Sequence, residues 1–452
     1  MIENTLHIGS YIMGALLTDA IFAPLNPSFT PYELEQICKW LQPKIIVCNK
    51  TNMETVKKVQ SNLNFVIHEF SPPERQIKHK ETLVMSDFDE FLASEILPSD
   101  PVMIICSSGT TGLPKGVVHS NFSILSALDY LTDSQLGTQN TDILLAYLPF
   151  YHLMGIISLF GNIYCGQKLI IMQKFKPQVF LNAVEEFKVN KMYIVPTVGL
   201  FLAQYDDIVN YDLSSLKEMI CAGSMLSITT YKAIKAKLPN VDIRLAYGMS
   251  EINYTTITPP SSEYIGSVGQ LITGCVGKVI DPETNEVLPA YKTGELCICS
   301  KSNFIGYYGN EKETLSTIDA DGFVHTGDIV YYNENGDIFI VDRIKDLIKH
   351  KSFQVSPIEL EAILLKHPSI ADVGVIGVPD EKCGELPRAF VVLRNNVTAK
   401  ENLRQELQEF VAEHVSPYKK LTGGVYFVNE IPKNPSGKIL RRQLKAKYHV
   451  EE

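Results

Sequence analysis

The chain has 452 residues, with 41 Lys+Arg against 51 Asp+Glu and a formal charge of −10. That length exceeds what one core fills and calls for several packed units. The acidic balance without a dense basic run excludes a nucleic-acid binder, and 45% apolar residues exclude a disordered chain.

Taken from the N-terminus, Ile8, Tyr11, Ile12, Ala15 and Leu16 recur at helical spacing. Thr30-Pro31-Tyr32-Glu33 then supplies an N-cap, a proline in the first turn and a capping-box glutamate for a second helix. Residues 44–48, 64–67, 192–195 and 218–221 are short apolar runs of buried-strand type. Strands alternating with helices predict mostly parallel sheets covered on both faces. The chain opens inside a helical pattern, so the first strand–helix unit of the fold is expected to be absent. Residues 143–167 carry no charge, but Pro149, His152, Ser158 and Asn162 interrupt them, and a buried helix is expected rather than a membrane span.

From about Gly294 the pattern turns to strands and turns, at 294–298 and 336–340. After residue 345 a separate small unit is expected, with a helix capped by Ser356-Pro357-Ile358-Glu359, strands at 373–376 and 389–393, and a helix over 402–414. Nine scattered cysteines, none in a Cys-x-x-Cys pair, fit reduced thiols. The N-terminus lacks the basic start of a signal peptide and the C-terminus lacks a Ser-Lys-Leu address, which points to an intracellular protein.

The densest chemical signal is Cys106-Ser-Ser-Gly-Thr-Thr-Gly-Leu-Pro-Lys-Gly116. Gly109 and Gly112 free the backbone to present N–H groups, Ser107, Ser108, Thr110 and Thr111 add hydroxyls, and Lys115 adds charge, a set suited to a polyphosphate. It is not the P-loop of nucleotide triphosphatases, because Pro114 precedes the lysine, Gly116 follows it, and residues 116–120 read as a strand rather than a helix. A flexible Gly/Ser/Thr turn is the alternative.

The loop resembles the signature of the adenylate-forming superfamily, which includes acyl-CoA synthetases, 4-coumarate–CoA ligases and beetle luciferases. Tyr247-Gly-Met-Ser-Glu251, Gly294-Glu-Leu, Thr326-Gly-Asp328, Asp342-Arg-Ile-Lys-Asp-Leu-Ile-Lys349 and Pro435-Ser-Gly-Lys438 follow in the superfamily's order, so the similarity covers the whole chain. The resemblance implies an α/β fold: a large N-terminal domain of stacked, mostly parallel αβαβα sheets with a strand-rich subdomain, and a small mobile C-terminal α+β domain. The division it implies is 1–342, a hinge at 343–345, and 346–452.

The implied reaction joins a carboxylate to ATP, releases pyrophosphate and passes the acyl group to coenzyme A, with Mg²⁺ assisting. Ser107, Ser108, Gly109, Thr110, Thr111, Gly112 and Lys115 would hold the phosphates. Ala222 and Gly223 would line the adenine and acyl pocket, with Tyr247 and Gly248 at the base. Asp328 would grip the ribose hydroxyls, Arg343 would contact ribose or phosphate, and Lys345 would be the hinge. Glu251 would meet Mg²⁺, Ser250 the α-phosphate, and Lys438 would bridge the carboxylate and the α-phosphate. His152, Gly223, Ala246 and Gly248 would shape the acyl pocket.

Three departures qualify the expectation. Leu125 and Tyr254 replace residues that luciferases place against luciferin, so light emission is not expected. Ser352 replaces a glycine of the pantetheine tunnel, which leaves open an adenylating enzyme without transfer to coenzyme A, beside a non-catalytic nucleotide or acyl-group binder. The remaining expectations are a fatty or aryl carboxylate as substrate, a monomer, no nucleic acid and no transmembrane segment, in the cytoplasm or, by resemblance, the peroxisome.

Overall fold

A computed structural model of the chain describes all residues except 72–95, 108–114, 134, 264–265, 345, 351–352, 381, 395–396, 399–400, 416, 435–436 and 449–452, and the side chains of 353–354 and 401. The phosphate-loop residues Ser108, Gly109, Thr110, Thr111 and Gly112 lie outside the described residues, as do Lys345 and Ser352.

The local signals produce the elements they specify. The helix Pro31–Leu41 starts at Thr30, whose side chain accepts from the Glu33 N–H while the Glu33 carboxylate accepts from the Thr30 N–H, a reciprocal capping box. Ser356 caps Pro357–Leu364, its side chain accepting from the Glu359 N–H. Glu218–Cys221 and Lys191–Ile194 are strands whose apolar faces are fully covered.

Lys168–Ile171, Ile143–Ala146, Lys191–Ile194, Glu218–Cys221 and Asp242–Met249 lie side by side and parallel. Asn253–Ile257 and Gln270–Leu271 continue this sheet antiparallel, giving seven strands. A three-stranded antiparallel sheet contains Pro101–Ser107, Lys115–Ser120 and Gly306–Tyr307. Cys275–Ile280, Gly294–Ser300, Val324–Tyr332 and Ile338–Arg343 form a four-stranded antiparallel sheet. The parallel order therefore holds in the large sheet and gives way to hairpins around it.

The uncharged stretch 143–167 departs from the expected single helix. It is a strand, Ile143–Ala146, a turn, and a helix, Leu153–Cys165. Pro149 cannot continue a helix, and its carbonyl sits where a side chain on Gly155 would collide, at 2.1 Å from an added Cβ. Among the described residues no helix is long and apolar enough to cross a membrane.

Past Arg343 the chain builds a five-stranded sheet from Ile348–His350, Phe353–Val355, Ile370–Asp380, Gly384–Leu393 and Val425–Phe427. Pro357–Leu364 and Glu401–Ala412 contribute to its own core, in which Leu360, Leu364, Val375, Val391, Leu407 and Val411 are buried together. The buried carboxylate of Asp342, at the end of the last large-unit strand, accepts from the Ser356 hydroxyl and from the Ile358 N–H, so it pins the first turn of the small unit's helix.

Candidate active site

A cavity of about 550 Å³ opens between the large sheet, the four-stranded sheet and the small unit. Four structural devices bring its side chains together.

The first is the turn between Asp242–Met249 and Asn253–Ile257, which carries Ser250 and Glu251 into the cavity wall. The turn is tight: Asn253 has φ +54° and an added Cβ on Gly248 would stand 1.8 Å from the Asn253 carbonyl oxygen. Only glycine fits at 248. Beneath the turn, fully buried His119 places Nε2 2.8 Å from the Ser250 carbonyl. Burial pulls this imidazole down to about 4, so it is neutral and donates from Nε2.

Glu251 is buried, and its Oε1 accepts from the Tyr307 hydroxyl at 2.8 Å. Burial raises its carboxyl above the ordinary range, opposed by the Tyr307 bond and by the Arg343 and Lys115 charges. Glu251 lines the cavity, which suits a hydrated hard cation held by one carboxylate.

The second device is the cross-strand pair of Asp328 and Arg343. Arg343 Nε lies 2.8 Å from Asp328 Oδ1, and the Tyr247 hydroxyl donates to Oδ2 at 2.6 Å. Asp328 and Tyr247 are both buried behind the wall; Arg343, Thr326 and Gly327 face the cavity. Tyr247, expected beside the adenine, is thus a clamp on Asp328. Burial and the Asp328 charge raise its hydroxyl well above the usual range.

The third is the start of Leu153–Cys165. His152 precedes that helix, lines the cavity and rests against the Tyr151 ring at 4.5 Å between centroids. Its Nε2 is buried without a hydrogen-bond partner among the described residues, and burial lowers the ring to about 4. Ala222 and Gly223, the latter at φ +88°, face the same space. Ala246 does not: it is packed in the core, paired with Ile257.

The fourth comes from the small unit. Asn434 N–H donates to the Lys438 carbonyl at 2.9 Å, and Asn434 Oδ1 accepts from the Lys438 N–H at 2.8 Å, closing a hairpin around Gly437 at φ +83°. The hairpin presses on the large unit, since an added Cβ at Gly437 would meet Thr197 at 2.6 Å. Lys438 and Asn434 both line the cavity. Burial, then the Arg343 charge, lowers the Lys438 ammonium to about 8 despite Asp346 and Asp328 nearby.

Ser107 and Lys115 mark the two ends of the phosphate loop on the cavity rim. Lys115 pairs with Glu313 and stands over the Tyr307 ring at 5.0 Å. Glu313, Tyr307, Asn253 and Asn434 escaped the sequence reading. The first two are brought in by distant elements; Asn253 and Asn434 are turn residues whose only signal was their place beside a motif.

The AMP-binding enzyme family matches residues 1–308, and its C-terminal domain matches residues 359–438. A 4-coumarate–CoA ligase of Humulus lupulus is 34% identical over 100% of this chain and 84% of its own length. A luciferin 4-monooxygenase of Photinus pyralis is 35% identical over 98% of this chain and 82% of its own. ATP-bound MatB from Rhodopseudomonas palustris shares the fold with a TM-score of 0.87 at 25% identity, covering 99% of this chain and 87% of that one. The apo form of that protein matches less closely, at 0.74. With a family match across most of the chain and relatives aligned over nearly all of it, the chain belongs to the AMP-binding enzyme family.

Proposed function

We propose that the protein activates a carboxylic acid with ATP, forming an acyl-adenylate and pyrophosphate, and then transfers the acyl group to the thiol of coenzyme A. The observation that carries this reading is the convergence of Lys438, from the small unit, with Ser250, Glu251 and Arg343 of the large unit on one cavity. A carboxylate oxygen attacking the α-phosphorus develops charge on the phosphoryl oxygens, and catalysis then rests on positioning and electrostatic stabilisation. Lys438 stabilises that charge between carboxylate and α-phosphoryl group, and the Ser250 hydroxyl donates to the same group. Arg343, oriented by Asp328, binds ribose or phosphate. Ser107, Lys115 and the loop 108–114 hold the outgoing pyrophosphate. Mg²⁺ held at Glu251 would neutralise phosphate charge.

Closure of the small unit over ATP is supported by the better match to ATP-bound than to apo MatB. The division into 1–342, a hinge at 343–345 and a mobile 346–452 goes with this reading. Rotation about the hinge withdraws Lys438 and admits the thiol.

The acid is a monocarboxylate with an apolar or aryl body. Leu148, Leu153, Met154, Ile157 and Val195 line the cavity with Tyr254, which stacks on Tyr193 at 6.2 Å. Among the described lining residues the cations are Lys115, Arg343 and Lys438, two of them already paired, so none is left for a second carboxylate. The test is carboxylate-dependent ATP–pyrophosphate exchange over a panel of aliphatic, aryl and dicarboxylic acids, with product analysis with and without coenzyme A. Exchange with monocarboxylates and thioester formation are expected. Exchange that no acid stimulates overturns the reading, and adenylate without thioester limits it to the first half-reaction.

A further inference from the structure

In the four-stranded sheet, Cys297 on Gly294–Ser300 lies directly opposite His325 on Val324–Tyr332. Glu295 precedes Cys297 by two residues, so its side chain leaves the same face of the sheet. His325 Nδ1 lies 3.0 Å from Glu295 Oε2 and 3.6 Å from Cys297 Sγ, and the candidate donor atoms all lie within 4.8 Å of one another. With Zn–N near 2.0–2.1 Å and Zn–S near 2.3 Å, adjacent ligands of a tetrahedral zinc ion stand roughly 3.3–3.6 Å apart. The His325–Cys297 separation already matches that spacing, and the His325–Glu295 contact at 3.0 Å, a hydrogen bond, need open by only about 0.3 Å to do so.

We infer that Glu295, Cys297 and His325 form a binding site for a thiophilic divalent cation of the zinc class, beside the active-site cavity and separate from Glu251. Three protein ligands leave one position open, and Glu295 and His325 both line the cavity, which gives the ion a route in. A thiolate donor selects against Mg²⁺ and Ca²⁺, the hard ions that a lone carboxylate such as Glu251 suits.

The surroundings hold the ligands in place. Glu295 Oε1 accepts from the Gly327 N–H at 2.9 Å, leaving Oε2 for the ion. His325 Nδ1 donates to Glu295 Oε2 in this structure, and on metal binding that proton moves to Nε2, which faces Asp319 Oδ2 at 3.9 Å. The nearby Lys278 ammonium is engaged by Asp319 at 2.9 Å, so that pair is neutral. Cys297 releases its thiol proton to solvent on binding, and thiolate plus carboxylate balance the dication. Because Glu295 also holds Gly327, next to Asp328, occupancy is coupled to the wall that carries Arg343.

The test is a titration of the reduced, metal-stripped full-length protein with Co²⁺, followed by displacement with Zn²⁺. The expected result is one equivalent of tetrahedral Co²⁺ with a sulfur-to-cobalt charge-transfer band. Cys297→Ser, close to isosteric, should abolish that band and weaken Zn²⁺ at least tenfold, with the melting temperature kept. Cys299→Ser should leave the band intact. Absence of the band in the wild-type protein at saturating Co²⁺, or its persistence in Cys297→Ser, overturns the assignment. His325→Gln must also lose tetrahedral coordination, so the question is decided even if one variant folds poorly.

Discussion

Charges on the large unit's side of the cavity are held in advance of any ligand, whereas the charge brought by the small unit is not. Asp328 is fixed by Arg343 and Tyr247, Glu251 by Tyr307, and Lys115 by Glu313. Lys438 has no carboxylate within ion-pair distance among the described residues, and it is buried enough to hold its proton weakly. The fixed side costs little reorganisation at the moment of reaction, as expected of a preorganised site. The small unit brings a charge whose burial is unfavourable until an anion meets it. The difference fits a reaction in which one wall binds ATP throughout and the other acts in only one half.

The largest effect on that contrast is expected from removal of the small unit's charge. Lys438→Ala should slow carboxylate-dependent pyrophosphate exchange by about 10²–10³-fold. Thioester formation from a supplied acyl-adenylate should continue at close to the wild-type rate, since the proposed rotation withdraws the lysine from that half-reaction. Equal loss in both halves would show that Lys438 is part of the fixed scaffold.

Breaking a pair on the fixed wall should act on stability as well as on binding. Asp328→Asn leaves the Arg343 guanidinium without its counter-charge. A fully buried pair cut on one side costs about 3–5 kcal/mol, and Arg343 is 31% exposed. A loss of about 2 kcal/mol is therefore expected, read as a lower urea midpoint, with a raised KM for ATP. An unchanged midpoint would mean that the wall is not preorganised by this pair.

The pH dependence separates the two sides with no mutation. Burial and the Arg343 charge hold Lys438 near 8 against its ordinary 10.5, so the folded chain gives up this proton before the unfolded chain does. The contribution of this group to stability is present above the unfolded value and is lost as pH falls through about 8. Activity runs the other way: adenylation needs the ammonium and should fall about fivefold from pH 8 to 9, while thioester formation stays flat. The same decline in both half-reactions would assign the titration to the fixed wall.

Much of this arrangement was legible in the sequence wherever the determinant is local. The capping box at Thr30 and the cap at Ser356 each lie within four residues. Reading 143–167 as one helix failed because apolar content does not distinguish a strand, a turn and a helix in succession; only Pro149 marked the break. The partners of the site residues were beyond reach for another reason. Tyr247 and Asp328 are 81 residues apart, Lys115 and Glu313 198. Such pairings are fixed by which strands adjoin, and periodicity carries no record of that. The motif suggests the adenine base for Tyr247, whereas the bond from its hydroxyl to Asp328 follows from which strands adjoin.

Glu313→Gln should produce the smallest effect and bears most directly on the phosphate loop. Lys115 borders that loop, and its ammonium is shared between Glu313 and the Tyr307 ring. Both partners are partly exposed, at 16% and 34%, so the pair contributes no more than about 1 kcal/mol to folding. Removing the carboxylate charge releases Lys115 toward an incoming phosphate while the ring contact still holds it near the cavity. The expected outcome is a fall of about two- to threefold in the KM for ATP, roughly 0.5 kcal/mol, with kcat unchanged. A rise in KM would carry the opposite meaning: Glu313 orients Lys115 for phosphate rather than competing for it, and the fixed wall would then extend to the loop itself.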